Sequence, residues 1–421
     1  MSEPEWIGGV IAAARPQAMA ALLRNFRDLD AAEEAFQEAC LRALKSWPRN
    51  GPPRDAASWL IMVGRNAGID TVRKQSRLIP LPPDDSISDL SDVEGAEADR
   101  IDEADYRDDI LRLLFVCCHP DLPATQQVAL ALRIVSGLTV KQIARAFLVS
   151  EAAMEQRITR AKAKVAAANL PFETPGAVER SERIGAVAAM LYLVFNEGYS
   201  TNVAEQGAKA PLCEEAIRLT RLLLRLFPTE PEIMGLAALM LLQHARAPAR
   251  FDSNGAVVLL EDQDRSRWDK RLIDEGLALV DKAIRHRRPG PYQVQAAIAA
   301  LHGRAPSFDA TDWPQIEQLY GTLEIMQPSP VVTLNRAVAV WKVRGPAEAL
   351  ALIEPLSTKL TGYFYFHGAR GAFLKELGRD QEAREAFSRA LVLANTAAEA
   401  TYIRAQIDRL TQSTPRLTNS T

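Results

Sequence analysis

At 421 residues the chain is too long for one ordinary core, and its length predicts roughly two to four domains. With 48% apolar and 24% charged residues it has a globular balance, and scarce aromatics beside abundant Ala and Leu favour helix over sheet. A net charge of −3 argues against a generic polyanion binder. The charge is segregated, however: seven basic residues face two acidic ones between Arg133 and Leu170, and twelve acidic face two basic between Leu81 and Ile110.

No apolar run is read as approaching the roughly 20 residues that cross a bilayer, so no membrane partner is expected. Met1–Val10 lacks the basic start and apolar stretch of a signal peptide. Cys40, Cys117, Cys118 and Cys213 do not form a disulfide framework and fit a reducing, cytoplasmic setting.

Residues 17–48 read as two helices broken near Asp28-Leu29-Asp30. Asp30 is expected to cap the second, with Glu33 three residues on as in a capping box, and Pro48 with Asn50-Gly51-Pro52-Pro53 to stop it after Trp47. Asp55 is expected to cap a third helix running to about Arg77. Trp59 opens that helix; Asn66, Asp70, Arg73 and Arg77 share one stripe, with Lys74 one turn beyond Asp70. Two readings stay open here. Trp59 stacks on an unpaired base beside a nucleic-acid-facing stripe, or it is a core residue and Asp70–Lys74 a surface pair.

Residues 80–104 read as a weakly ordered acidic connector. Between 120 and 168 the spacing predicts three helices: Ala124–Val135 ending at Ser136-Gly137, Val140–Phe147, and one starting behind Ser150. This is the layout of a helix-turn-helix, with Ser150 as cap. In the last helix Met154, Ile158, Ala161 and Val165 form an inward stripe, while Gln156 and Arg160 point the opposite way. Ala152 and Ala153 sit near its start, where a recognition helix meets base edges. Gln can read adenine, Arg can read guanine, and both can hold phosphate. The rival reading is a surface helix with a solvated basic face.

Helices without strands are predicted from the boundary at 169–176 to about residue 411, with breaks at Gly207–Pro211, Pro228–Pro231, Pro248–Gly255, Arg288–Pro291, Ala305–Pro314, Pro328–Pro330 and Gly345-Pro346. Gly371, Ala383, Phe387 and Ala390 have the spacing of a tetratricopeptide repeat of about 34 residues, with a weaker copy around Asn335–Ala337, Gly345 and Ala349-Leu350. Cys117-Cys118-His119 raises a metal reading, but adjacent cysteines serve one ion poorly and core packing is favoured. Glu261, Asp262 and Asp264 beside Arg265 and Arg267 read as a salt-bridged loop rather than a metal or acid–base site. With no phosphate loop, nucleophile elbow or zinc pattern, no catalysis, cofactor or metal is expected.

The segment Asp30–Leu41 and the stretch Trp59–Lys74, with its Asn-x3-Asp-x2-Arg pattern, resemble region 2 of the extracytoplasmic-function (ECF) RNA polymerase sigma factors; residues 120–165 resemble region 4. Tyr192–Tyr199 and Leu259–Trp268 resemble signatures of a subgroup with a C-terminal helical, tetratricopeptide-repeat extension. The resemblance implies an all-α fold: region 2 bundle (1–79), acidic linker (80–104), region 4 helix-turn-helix (105–170), helical extension (171–327), tetratricopeptide-like helix pairs (328–412) and a tail (413–421). It implies a sigma factor that binds core RNA polymerase through the β′ coiled coil and β flap, and directs initiation at promoter DNA. Asp30, Glu33, Glu34, Phe36, Gln37 and Leu41 would bind polymerase. Trp59, Asn66, Asp70, Arg73, Lys74 and Arg77 would face the −10 element. Lys141, Ala152, Ala153, Gln156, Arg157, Arg160 and Lys164 would face the −35 element. A regulatory protein on the extension is also implied. Ala153-Met154 stands where Thr-Val is usual and Ala152 where Gly is frequent, so the −35 sequence does not transfer. The alternative is a repeat-type scaffold with a DNA-binding module.

Overall fold

The computed structural model describes residues 5–76, 103–119, 121–147, 149–167, 177–199, 203–252, 258–394 and 397–412. It is all-α, and no strand occurs among the described residues. Two compact units divide the chain, 1–197 and 198–421.

The first unit begins with α1 (Glu5–Phe26), α2 (Leu29–Asn50) and α3 (Ala56–Ser76). The cap of α2 is Asp28, not Asp30: the Asp28 Oδ1 accepts from the Ala31 amide at 2.7 Å, leaving the Asp30 carboxylate free to reach elsewhere. The helix runs on to Asn50, past Trp47, and of the expected stop signals Gly51 acts and Pro48 does not. Pro48 lies in the last turn, and Gly51, with φ of 77°, closes the end by donating to the Trp47 carbonyl. Asp55 caps α3 as expected, accepting from the Ala57 and Ser58 amides at 3.0 and 3.1 Å.

Ala18, Leu22, Ala32, Ala35, Phe36, Ala39, Leu60 and Val63 knit the three helices together. Gly64 lets α3 approach so closely that a Cβ there would lie 3.1 Å from both the Ala35 carbonyl and the Leu22 side chain. The stretch Trp6–Phe26 is long and apolar enough, by length and composition, to cross a membrane, which corrects the expectation that no run reaches that length. In the structure it is a packed helix with Ile7, Ala18, Met19 and Leu22 buried.

The unit continues with α4 (Glu103–Cys117), α5 (Ala124–Ile134), α6 (Val140–Ala146), α7 (Glu151–Ala167) and α8 (Ala177–Tyr199). The expected connector 80–104 lies outside the described residues up to residue 102. Cys117 and Cys118 are buried core residues, and burial raises both thiols, Cys118 to about 12. The neighbouring His119 uses its Nδ1 to accept from the Asp121 amide at 3.2 Å.

The second unit holds α9 (Val203–Leu226), α10 (Pro231–His244), α11 (Lys270–Arg285), α12 (Pro291–Arg304), α13 (Trp313–Met326), α14 (Pro330–Arg344), α15 (Pro346–Ile353), α16 (Phe364–Glu376), α17 (Asp380–Leu393) and α18 (Ala397–Gln412). The break expected at Gly207–Pro211 is absent, because α9 runs through it; the other expected breaks fall between helices, the one at Pro248–Gly255 lying partly outside the described residues. Helix α10 is apolar all round and central, with every residue from Ile233 to Leu242 buried. The Glu232 carboxylate caps the start of α12, accepting from the Tyr292 and Gln293 amides.

The pair α16–α17 meets through Gly371. A Cβ there would stand 2.7 Å from the Phe387 ring, and Ala383, Phe387 and Ala390 are all buried. The acidic loop before α11 is not salt-bridged in the manner expected. Asp264 accepts from the amide and hydroxyl of Ser266, while Arg265 donates to the His302 and Ala305 carbonyls at 2.6 and 2.7 Å. Among the described residues Glu261 pairs with Lys342 at 3.7 Å.

Candidate nucleic-acid and polymerase interface

Helix α2 presents Asp30, Glu34, Gln37 and Leu41 on one exposed stripe, Leu41 being 54% exposed. Two residues assigned to the same surface are elsewhere. Phe36 is 1% exposed in the bundle core, one helical face round with Ala32, Ala35 and Ala39. Glu33 is 4% exposed, covered by cations from α5 and α7: Arg133 at 2.6 Å and Lys162 at 2.7 Å. The sequence offered a signal for Phe36, because its spacing matches the alanines of the buried face. None existed for Glu33, whose partners lie about a hundred residues away.

On α3, Trp59 is half-buried and meets Trp47 edge-on, with ring centroids 5.3 Å apart. Trp47 in turn stacks on Trp6 at 6.5 Å. Trp59 therefore packs against Trp47 while remaining partly exposed. Asn66 is exposed, one turn before Asp70. Asp70, Arg73 and Lys74 continue along α3, but their side chains fall outside the described residues, as does Arg77 altogether.

Helices α5, α6 and α7 form the helix-turn-helix. Gly137 adopts a left-handed φ of 74° at the turn out of α5. Thr139 caps α6 in a full capping box with Gln142, a Thr-x-x-Gln signal that sequence reading passed over. Ser150 caps α7 as expected, its hydroxyl accepting from the Ala153 amide at 3.2 Å. Met154, Ile158, Ala161 and Val165 are buried.

Ala152, Gln156, Arg160 and Lys164 are exposed on α7, with Ala153 and Arg157 half-buried, and Lys141 is exposed at the start of α6. The first two turns of α7 thus present small residues and an amide donor-acceptor, flanked by guanidinium and ammonium groups. That arrangement suits the major groove. Lys164 is partly committed: its Nζ donates to the Asp121 carbonyl at 2.5 Å.

Helix α1 packs along α4, and polar groups also join the two helical clusters. Arg15 of α1, 9% exposed, donates from Nε to the Ile134 carbonyl at 2.9 Å and from its second terminal nitrogen to the Arg133 carbonyl at 3.2 Å, closing the end of α5. Its guanidinium also lies 4.7 Å from the Phe36 ring centroid. Burial lowers its pKa, opposed by the charge of Glu33. Lys162 bridges Asp30 and Glu33 at 2.6 and 2.7 Å. Burial alone would lower the Lys162 pKa, but the hydrogen bonds to the two carboxylates outweigh it and the net direction is up. Arg24 pairs with the buried Asp109 of α4 at 3.1 Å.

This geometry agrees with comparison to known proteins. Sigma-70 region 2 matches over residues 10–78 and sigma-70 region 4 over residues 112–165. A family of unknown function (DUF6596) matches over residues 183–284. The chain is 69% identical over 410 residues to "Uncharacterized protein R00370" of Rhizobium meliloti (strain 1021), covering 97% of each. Sigma-70 regions 2 and 4, matched in that order on the three-helix bundle and the basic helix-turn-helix, are the two modules of a sigma-70-type factor. The chain belongs to the sigma factors as an ECF-like member carrying a helical C-terminal extension.

Proposed function

We propose that the protein binds core RNA polymerase with the exposed stripe of α2 and directs initiation at promoters read by α3 and α7. Sigma-70 regions 2 and 4 place the protein in promoter-directed transcription. The finer assignment rests chiefly on one observation: the inward stripe of α7 is fully buried while Gln156 and Arg160 stand exposed behind the Ser150 cap. In this reading Asp30, Glu34, Gln37 and Leu41 dock on the β′ coiled coil, and region 4 meets the β flap. Asn66, with Asp70, Arg73, Lys74 and Arg77, faces the opened −10 strand; Trp59 offers a ring edge to an unstacked base. Lys141, Ala152, Ala153, Gln156, Arg157, Arg160 and Lys164 face the −35 element. The protein works in the cytoplasm.

The extension is read as a positive element for productive polymerase contact, its last helix pairs forming tetratricopeptide-like repeats that suit a protein partner. Run-off transcription sequencing tests the whole reading, using core polymerase with the full chain and with a chain ended after Leu170. Promoter-specific transcripts from the full chain and their loss on truncation are expected. Absence of any specific transcript with the full chain overturns the sigma reading; higher output from the truncated chain overturns the positive role of the extension.

A further inference from the structure

Around Trp268 the second unit gathers three guanidinium groups. Arg246 follows the end of α10, Arg250 lies four residues further on, and Arg265 opens the short turn before α11. The Cζ atoms of Arg246 and Arg265 stand 5.5 and 4.9 Å from the Trp268 ring centroid. Arg250 stacks on the Tyr199 ring at 3.8 Å. Among the described residues none of the three arginines forms an ion pair.

The carboxylates nearest in sequence are committed elsewhere. Glu261 pairs with Lys342, and Asp264 accepts from Ser266. Asp269 caps α11 through the Arg271 and Leu272 amides. Burial lowers the Arg246 pKa, with Tyr199 opposing and Arg250 adding like charge. Burial lowers that of Arg265 as well, and there Arg246 adds like charge. Cations drawn together and half out of water destabilise a fold unless a counter-charge joins them.

Hydrogen-bond donors remain as well. Arg246 commits only its Nε, to the Gln263 Oε1 at 3.3 Å, and Arg250 one terminal nitrogen, to the Tyr199 carbonyl at 2.7 Å. Arg265 is held on the His302 and Ala305 carbonyls and the Thr311 hydroxyl, and so supplies a fixed charge. Trp268 is 4% exposed, and its Nε1, which can only donate, makes no hydrogen bond among the described residues. The buried Nδ1 of His302 makes none there either.

We propose that Arg246, Arg250, Arg265 and Trp268 form a site in the extension for a small oxyanion of the phosphate class. The guanidinium fork matches two oxygens of such a group. Its charge of about −2 near neutral pH answers the clustered cations better than the single charge of a monocarboxylate. The ligand ties the end of α10 to the loop before α11, which Arg265 already anchors to the end of α12. The extension thereby gains a chemical input of its own. The inference does not rest on the reading of α2, α3 and α7 as polymerase- and promoter-facing.

The experiment is thermal unfolding of the full chain in rising inorganic phosphate, against sodium chloride and sodium acetate at equal ionic strength. A saturating rise in the unfolding temperature is expected with phosphate, with little change in either control. The phosphorus resonance of inorganic phosphate should broaden in the presence of the protein. Phenyl phosphate run beside it separates a phosphate ester from the free ion by which of the two half-saturates first. Arg246→Met, which removes one uncompensated charge, is expected to unfold no earlier than wild type without phosphate, and to lose both the phosphate-dependent rise and the broadening. Arg250→Gln takes its place if Arg246→Met fails to fold by circular dichroism.

An equal rise in chloride overturns the site, because it reports ionic strength alone. So does a phosphate response that persists undiminished in Arg246→Met. Loss of the response in Arg160→Gln also overturns it, because the anion then lies on the DNA-facing helix.

Discussion

Two helix–helix meetings in this molecule are made by opposite means. Helix α2 meets α7 through one buried carboxylate, one exposed carboxylate and a bridging lysine. Helix α16 meets α17 through a missing side chain at Gly371 and a ring from Phe387 that fills the gap. Separating the first exposes charges that water solvates. Separating the second exposes a buried aromatic face that water does not. Contacts of the first kind leave solvated groups on both sides when parted, whereas contacts of the second kind hold a module in one shape.

The largest expected effect breaks the apolar side of this comparison. Phe387→Ala should cost about 3–5 kcal/mol, because the 2% exposed ring leaves a cavity that Gly371 cannot fill. Denaturant unfolding of the full chain, followed by the transition assigned to the second unit, measures it. Gly371→Ala should cost about 1–3 kcal/mol by overpacking against the same ring; a neutral result would mean that the helices are not held at this distance.

Acid is the next lever. His302 is held neutral, lowered from 6.5 to about 4 by burial, with Arg246 and Arg265 adding like charge. The unfolded chain takes up a proton near 6.5, whereas the folded chain resists until about 4. Its contribution, on the order of 3 kcal/mol, is fully present above pH 6.5 and lost as pH falls toward 4. Thermal unfolding across that window should show the second unit weakening, and His302→Gln should flatten the slope. Lys162 behaves oppositely, since its raised pKa keeps its contribution intact below its ordinary value of 10.5 and loses it only above. The α2–α7 contact should therefore show no Lys162-dependent change in mild acid.

Removing the caps gives smaller effects. Thr139→Ala and Ser150→Ala should each cost about 1 kcal/mol of stability, read by thermal unfolding. Smallest is Asp30→Asn: its carboxylate is 73% exposed, and the loss should stay within about 1 kcal/mol. A cost well above that would show Asp30 to be part of a tighter network than the geometry describes.

Much of the DNA-facing half was legible in the sequence because its signals are local. Ser150 and the stripe from Met154 to Val165 announce a capped amphipathic helix within about sixteen residues, and the structure places them accordingly. Gly371 and Phe387 were legible because a small residue and a ring recur at a known separation. The start of α2 was misread between two aspartates two positions apart, since either could cap and only the Ala31 amide decides. Reading Glu33 as a capping-box partner failed for a different reason. Its true partners are Arg133 and Lys162, and no pattern in α2 points across that separation. Arg15 was invisible on the same ground, its acceptor at Ile134 lying 119 residues away. Phe36, by contrast, could have been placed in the core from the alanine spacing of α2.

The ring cluster of region 2 carries an optical consequence. Three of the six tryptophans in the chain, Trp6, Trp47 and Trp59, touch in series, and only the last lies next to the stretch of α3 assigned to DNA. A nucleobase laid against Trp59 would quench its emission and, through Trp47, draw down that of its neighbours. The native chain thus carries a built-in, label-free fluorophore whose dimming would time the moment a promoter strand is captured.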